Sequence, residues 1–314
     1  MRAAAILGLG CSLKNLAPFQ RDDSIEWRVG MPSDSSTVDA IVLLGGDGTV
    51  HRHLGQLVKL GLPVLVMPVG SGNDFARALG VRSVRDALAA WRKFCRGVSN
   101  LRTVDLGSLR PLGIAAADVD STQEAGGAPG PHLRPEARYF CCVAGVGIDA
   151  EVSRRANRLP RWLRGHGGYT LSLLPAMARF TPVRVKIQIL DESISTASAL
   201  TWITLSDQST ILAAFANTPT YGGGMKIAPC ARMDDGLLDL CIVGALDPFK
   251  LFCMFPTVYF GKHLRVREVQ YLQAARLRLE TETPLDVYAD GEFVCRTPVE
   301  IATHRAALKV ITSG

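Results

Sequence analysis

No run in this 314-residue chain is long and apolar enough to span a bilayer. Leu251–Phe260 comes nearest, but it is short and holds Pro256. Any membrane contact is therefore expected to be peripheral. The eight cysteines include no Cys-x-x-Cys pair, which removes the common zinc and dithiol signatures and fits a reduced, mostly buried set. Cys141 and Cys142 stand in an apolar run, where strand alternation would send them to opposite faces. No Gly-x4-Gly-Lys-Ser/Thr occurs, so the P-loop enzymes are excluded. Gly8-Leu9-Gly10 and Gly145-Val146-Gly147 follow apolar runs, yet Leu13 and Ala150 occupy the place of the third glycine in a dinucleotide fingerprint. His51 and His53 are two residues apart, which on a helix separates them and argues against a metal pair. There is no internal repeat.

Glycine is present where it matters. Gly45-Gly46-Asp47-Gly48-Thr49 follows the apolar run Ala40–Leu44, and Gly70-Ser71-Gly72-Asn73-Asp74 follows Leu62–Met67. Each opens a helix-like segment. Two strands joined by one helix should be parallel neighbours, placing both loops at the carboxyl edge of one open sheet, where ligands bind. Glycines let backbone N–H groups approach phosphate oxygens, and a helix start favours negative charge. An aspartate in such a loop repels phosphate unless a cation or a proton-transfer role intervenes. Asp-Gly is also a favoured turn pair, but a second glycine loop at the same edge turns the reading of Asp47 towards function. Lys and Arg exceed Asp and Glu by 35 − 29 = 6, which suits an anionic partner such as ATP or a membrane surface. Arg154, Arg155, Arg158, Arg161 and Arg164, with His166 behind, read first as a solvated helix face and second as a lipid-headgroup patch.

Residues 1–105 alternate strand and helix. Strands are expected at Ala3–Leu9, Ile25–Val29, Ala40–Leu44, Leu62–Met67 and Arg102–Leu106, and helices at Val50–Leu60, Asn73–Leu79 and Val84–Cys95. Trp91 falls on the apolar face of the last helix, as a core residue. Ala3–Leu9 is too short, and Gly8 wrongly placed, for a lipoprotein signal, so a first strand and a cytoplasmic protein are expected. Gly113–Ala137 is Ala-, Gly- and Pro-rich and aperiodic, an insertion. Beyond it, β-rich runs dominate (Tyr139–Ala144, Val183–Leu190, Thr201–Leu205, Ile211–Ala216, Leu237–Val243, Arg276–Glu280, Leu285–Tyr288). Helices are expected at Ala150–Leu159, Tyr169–Arg179 and Pro248–Tyr259. The fold class is α/β: an open, mostly parallel nucleotide-binding domain over 1–107, then a mostly antiparallel β-rich domain over 108–296.

Gly45-Gly46-Asp47-Gly48-Thr49 alone is a weak signature. Pro68-Val69-Gly70-Ser71-Gly72-Asn73-Asp74-Phe75-Ala76-Arg77 is more specific, and Gly145–Ala150, Tyr221–Gly224, Asp234–Asp239 and Asp290-Gly291-Glu292 follow in order. Together they resemble the diacylglycerol kinase catalytic domain superfamily, which includes bacterial lipid kinases and sphingosine and ceramide kinases. The likeness runs from about Val38 to Ile301. It implies a two-domain, ATP- and Mg²⁺-dependent lipid kinase with the site between domains, and a return of residues 297–314 to the first domain.

On that resemblance, Gly45, Gly46, Gly48 and Thr49 line the phosphate site opposite Gly70, Ser71, Gly72 and Asn73. Glu292 is the expected general base for the lipid hydroxyl, with Asp47 nearer the nucleotide and its metal. A structural Mg²⁺ is implied at Asp235 with the carbonyls of Arg232 and Leu237; without the resemblance, both acidic motifs read as turns. Expected partners are a lipid substrate and a peripheral membrane surface, with no nucleic acid; a homodimer is left open. Departures from the family pattern are Gly8–Ser12 in place of an Asn-Pro-x-Ser-Gly loop, and Arg52 and His53 near the place of a common glutamate. An NAD kinase shares the first glycine motif and is the alternative enzyme. A lapsed kinase that only binds lipid or nucleotide is the other alternative, against which the joint presence of Asp47, Asp235 and Glu292 argues.

Overall fold

A computed structural model describes residues 1–112, 137–158, 176–177, 180–191 and 200–313. The expected insertion up to residue 136, most of the expected helix Tyr169–Arg179, and Arg161, Arg164 and His166 lie outside them. The parallel strands are β1 (Arg2–Leu7), β2 (Glu26–Val29), β3 (Ala40–Gly45) and β4 (Val64–Pro68), in the order β4-β3-β1-β2, with the polar β2 at the edge. Every residue of β3 is buried, as a strand covered on both faces requires. Ile41 and Leu43 join Val50, Leu54 and Leu57 of α2 (Asp47–Leu60) on one side. Ala40, Val42 and Leu44 join Ala87, Ala90 and Trp91 of α4 (Val84–Cys95) on the other. Trp91 is core, stacked among Phe19, Trp27 and Phe94. The short helices α1 (Leu13–Leu16) and α3 (Asp74–Ala78) complete this half.

The other half is antiparallel. β7 (Val143–Gly147) pairs with β9 (Trp202–Ala216), which pairs with β8 (Val183–Leu190); β12 (Arg276–Thr281) joins β8 to β15 (Val299–Ile311). β10 (Leu238–Gly244) and β11 (Val269–Ala274) extend from β9, and the hairpin β13 (Asp286–Ala289) and β14 (Glu292–Arg296) pairs with β7. Phe140, Phe215, Leu240, Leu277 and Ile301 lie in its core. The helices α5 (Ile148–Arg158) and α6 (Pro248–Val258) belong to this half. β5 (Leu101–Pro111) contains the expected boundary at residue 107. It pairs along its length with β15, whose far end meets β4 at Val310–Val64.

Three local expectations change. Cys141 and Cys142 are not in a strand: they form a bend between β6 (Arg138–Phe140) and β7, both buried, their sulfurs 3.9 Å apart. Thr201–Leu205 and Ile211–Ala216 are one strand, because β8 pairs through the polar stretch between them. And α2 begins at Asp47, not Val50, so the first glycine loop is largely the helix's own first turn.

Candidate active site

The carboxyl edges of β3 and β4 bring the two glycine loops into backbone contact. A Cβ on Gly46 would lie 2.9 Å from the Gly70 Cα, and one on Gly70 only 2.5 Å from the Gly46 Cα. Such distances exclude any side chain at either position. Asn73, in the left-handed region at φ 55°, closes the second loop on itself: its Oδ1 accepts from Gly70 N–H at 2.9 Å and its Nδ2 donates to the Gly70 carbonyl at 2.6 Å. Asp47 then ties the loops together, accepting from the N–H groups of Asp74 and Phe75, both at 3.0 Å. One carboxylate thus sits at the N-terminal ends of α2 and α3, where negative charge is favoured. Burial, with the charge of Asp74 beside it, still pushes the Asp47 carboxyl up to about 6. Asp74 is itself buried, accepting from Arg77, Thr220 and Gly223 N–H at 2.7, 3.1 and 2.8 Å, and desolvation raises its pKa too.

The opposite wall is the β13–β14 turn. Asp290, at φ 52°, accepts from the N–H groups of Cys141, Cys142 and Val143 at 2.9, 2.8 and 3.3 Å. That capping makes the bend between β6 and β7. His51 of α2 places Nδ1 3.0 Å from Asp290 Oδ2, so the same carboxylate joins α2 to the antiparallel half. Burial works to lower the His51 pKa. The Asp290 hydrogen bond and charge, with Glu292 behind, outweigh it and the opposing Arg138, and the net direction is up. Cys141, Cys142 and Asp290 are close enough to suggest a metal, but the Asp290 oxygens are engaged by backbone, and burial holds both thiols well up. Glu292 is exposed, and its Oε1 stands 3.1 Å from where a Cβ on Gly48 would be.

Between these walls is a cleft of about 530 Å³. Gly46, Asp47, Gly48, Thr49, Gly70, Ser71 and Gly72 line it, as does Glu292 from across; Gly45 and Asn73 support the loops from behind. Among the described residues its charged lining is five carboxylates, Asp47, Asp74, Asp149, Asp290 and Glu292, against one guanidinium, Arg52. Leu9 of the altered N-terminal loop and Tyr288 also line it. The turn at Arg232, Asp235 and Leu237 does not. There Asp235 Oδ1 accepts from Leu237 N–H at 3.0 Å, while Asp105 holds the turn from behind, accepting from Gly236 and Ala306 N–H, each at 2.7 Å.

Sequence reasoning missed Asp74, Asp149, Asp105 and the His51–Asp290 link as site-building groups. Asp74 and Asp149 stood inside quoted motifs and could have been taken up. Asp105 and His51 carry no local signal, since their partners are 131 and 239 residues away.

Residues 27–109 match the diacylglycerol kinase catalytic domain, and residues 142–312 match the YegS C-terminal NAD kinase beta sandwich-like domain. A diacylglycerol kinase of Mycobacterium tuberculosis is 32% identical over 279 residues, covering 87% of this chain and 76% of that protein. A diacylglycerol kinase structure from Bacillus anthracis superposes at TM-score 0.61 with 17% identity, covering 99% and 96% of the two chains. An NAD kinase from Archaeoglobus fulgidus, solved in complex with ATP, superposes at 0.51 with 14% identity, covering 100% and 94%. At those identities the two structures speak for the fold alone.

Proposed function

Because this chain belongs to the diacylglycerol kinase family of lipid kinases and is a phosphotransferase, we propose that it transfers the γ-phosphoryl group of ATP to a lipid hydroxyl, of diacylglycerol or a related lipid, in the presence of Mg²⁺. The observation that carries the reading is the cleft itself: two glycine loops fused at their backbones, in a cleft whose charged lining among the described residues is five carboxylates and one arginine. A triphosphate entering that field needs cations, and Asp47 is the acid beside the loops that would help hold one, since each of its oxygens accepts one N–H bond and keeps a second lone pair. When bound, Mg²⁺ would neutralise charge on the phosphoryl oxygens.

In this reading Gly46, Gly48, Gly70 and Gly72 admit the phosphates to the backbone, and Ser71 and Thr49 line their path. The lipid oxygen attacks the γ-phosphorus, the bond to the bridging oxygen breaks, ADP leaves, and the hydroxyl proton passes to Glu292. Glu292 suits that task because it is exposed to the cleft, whereas both Asp47 oxygens already accept backbone N–H bonds. A second, structural Mg²⁺ would be held by Asp235 and the carbonyls of Arg232 and Leu237, an all-oxygen donor set that would suit a hard cation. Beside it the charge of Asp235 reaches Asp239, whose buried Oδ2 has no hydrogen-bond partner among the described residues, a further acceptor that fits such an ion.

Labelled ATP, offered with a panel of lipids and with NAD in parallel, tests the proposal. Phosphate should appear on a lipid alcohol, and excess chelator should stop it. Label on NAD and on no lipid would overturn the reading, as would an unchanged rate in chelator.

A further inference from the structure

α6 is apolar on both sides. Leu251, Met254 and Val258 are buried, while Phe249, Phe252, Cys253 and Pro256 face outward, and Phe260 continues that face just past the helix end. Phe249, Phe252 and Phe260 are 76%, 55% and 72% exposed. Lys250 is the one charged residue of the helix. A helix hydrophobic all round is normally covered all round, and a contiguous exposed aromatic face marks an interaction surface.

Charge and position say what covers it. The 3-10 turn Lys262–Arg265 packs against α6, and Lys226 N–H bonds to the Val258 carbonyl at its end. Lys226, Lys262, Arg265 and Arg267 are exposed and make no ion pair among the described residues. The nearby acids are engaged: Asp247 caps the helix through Phe249 and Lys250 N–H, and Glu268 holds Lys250. The result is an aromatic face rimmed by free cations. Tyr259, between Val258 and Phe260, lines the cleft, so the Phe260 end of the face lies next to it. A second copy of the chain fits poorly, because a two-fold interface would set the basic rim against itself.

We propose that this face seats the enzyme on an anionic lipid bilayer, with Phe249, Phe252 and Phe260 entering the headgroup boundary and Lys226, Lys262, Arg265 and Arg267 meeting lipid phosphates. The cleft then opens at the membrane surface, where a lipid hydroxyl can reach it without leaving the bilayer. This rests on the lipid-kinase reading for its purpose, but not for its test.

The test is sedimentation of the full chain with vesicles of phosphatidylcholine and phosphatidylglycerol, beside phosphatidylcholine alone. The chain should bind the anionic vesicles, and binding should weaken as salt rises. The triple variant Phe249→Ser, Phe252→Ser, Phe260→Ser should keep its fold by circular dichroism and lose roughly tenfold or more in vesicle affinity. Lys262→Glu with Arg265→Glu, which leaves the apolar face intact, should lose anionic-vesicle binding selectively. Turnover of monomeric dioctanoylglycerol should not change in either variant, while turnover of vesicle-embedded dioleoylglycerol falls. Equal vesicle binding by parent and triple variant would overturn the proposal. So would a parent that is dimeric in sedimentation velocity and becomes monomeric in the triple variant. If no lipid is phosphorylated at all, the proposed reaction fails, and the vesicle arm still decides the surface.

Discussion

Each wall of the cleft holds a carboxylate against backbone N–H groups, but Asp47 and Asp290 do so in opposite surroundings. Asp47 binds the two glycine loops within the parallel half, and its neighbour is another acid, Asp74. Asp290 binds the bend of the antiparallel half to its own hairpin and, through His51, to α2. The first arrangement sets two carboxylates side by side at the glycine loops, and among the described residues Asp74 alone of the two has a basic partner, Arg77. The second has a basic partner and works as a clamp. The same side chain in the same kind of backbone nest thus meets a second acid on one wall and a histidine on the other, and the roles proposed above for Asp47 and Glu292 can be tested against that contrast.

The sharpest way to break this comparison is Asp290→Ala. It strips acceptors from three N–H groups at the bend, each worth about 1–3 kcal/mol when left unpaired, so stability should drop by about 3 kcal/mol or more. Urea titration reads the loss directly. An unchanged midpoint would mean the clamp is not a clamp. Glu292→Gln comes next. Turnover should fall by about two orders of magnitude, the usual range for a lost acid–base group, with ATP affinity held; near-parental turnover would move the base role to Asp47.

Asp47 offers a pH signature. Its native pKa, near 6, lies above the ordinary carboxylate value, so the native state holds a proton that the unfolded chain has released between about pH 4 and 6. Nucleotide-free stability should accordingly lose ground as pH rises through that window. Asp47→Asn should remove this contribution, and thermal melts of the two proteins across the window should diverge in slope; parallel curves would refute it. The smallest effect is expected at His51. Its raised pKa means that the stabilisation from Asp290 is complete below the unfolded value and lost as pH rises through the native one. His51→Gln should cost about 1 kcal/mol at pH 6 and less at pH 9, measured by denaturant midpoint.

The parallel half was legible because its function lies in the backbone. Glycines at Gly46 and Gly70 are needed where two loops touch, and apolar runs such as Ala40–Leu44 announce strands buried on both faces. α4 appears with the expected bounds, since one apolar stripe and a serine cap define it. The antiparallel half was read as β-rich, but its details depend on distant partners. Only Asp290, 149 residues on, explains why Cys141 and Cys142 leave the strand. Only β8 explains why β9 continues through Ser206–Thr210. Side-chain placement by tertiary hydrogen bonds has no local period to betray it.

β15 has a consequence for how the chain is made. Until Val310 reaches Val64, β4 is an open edge of a sheet whose other strands are synthesised within the first 68 residues. The nascent parallel half must wait, with a bare apolar edge, for nearly the whole remaining chain to leave the ribosome before its last neighbour arrives. Unpaired edges are templates for unwanted association. A fragment ending near residue 109 would keep both glycine loops and leave that edge of β4 without its β15 neighbour.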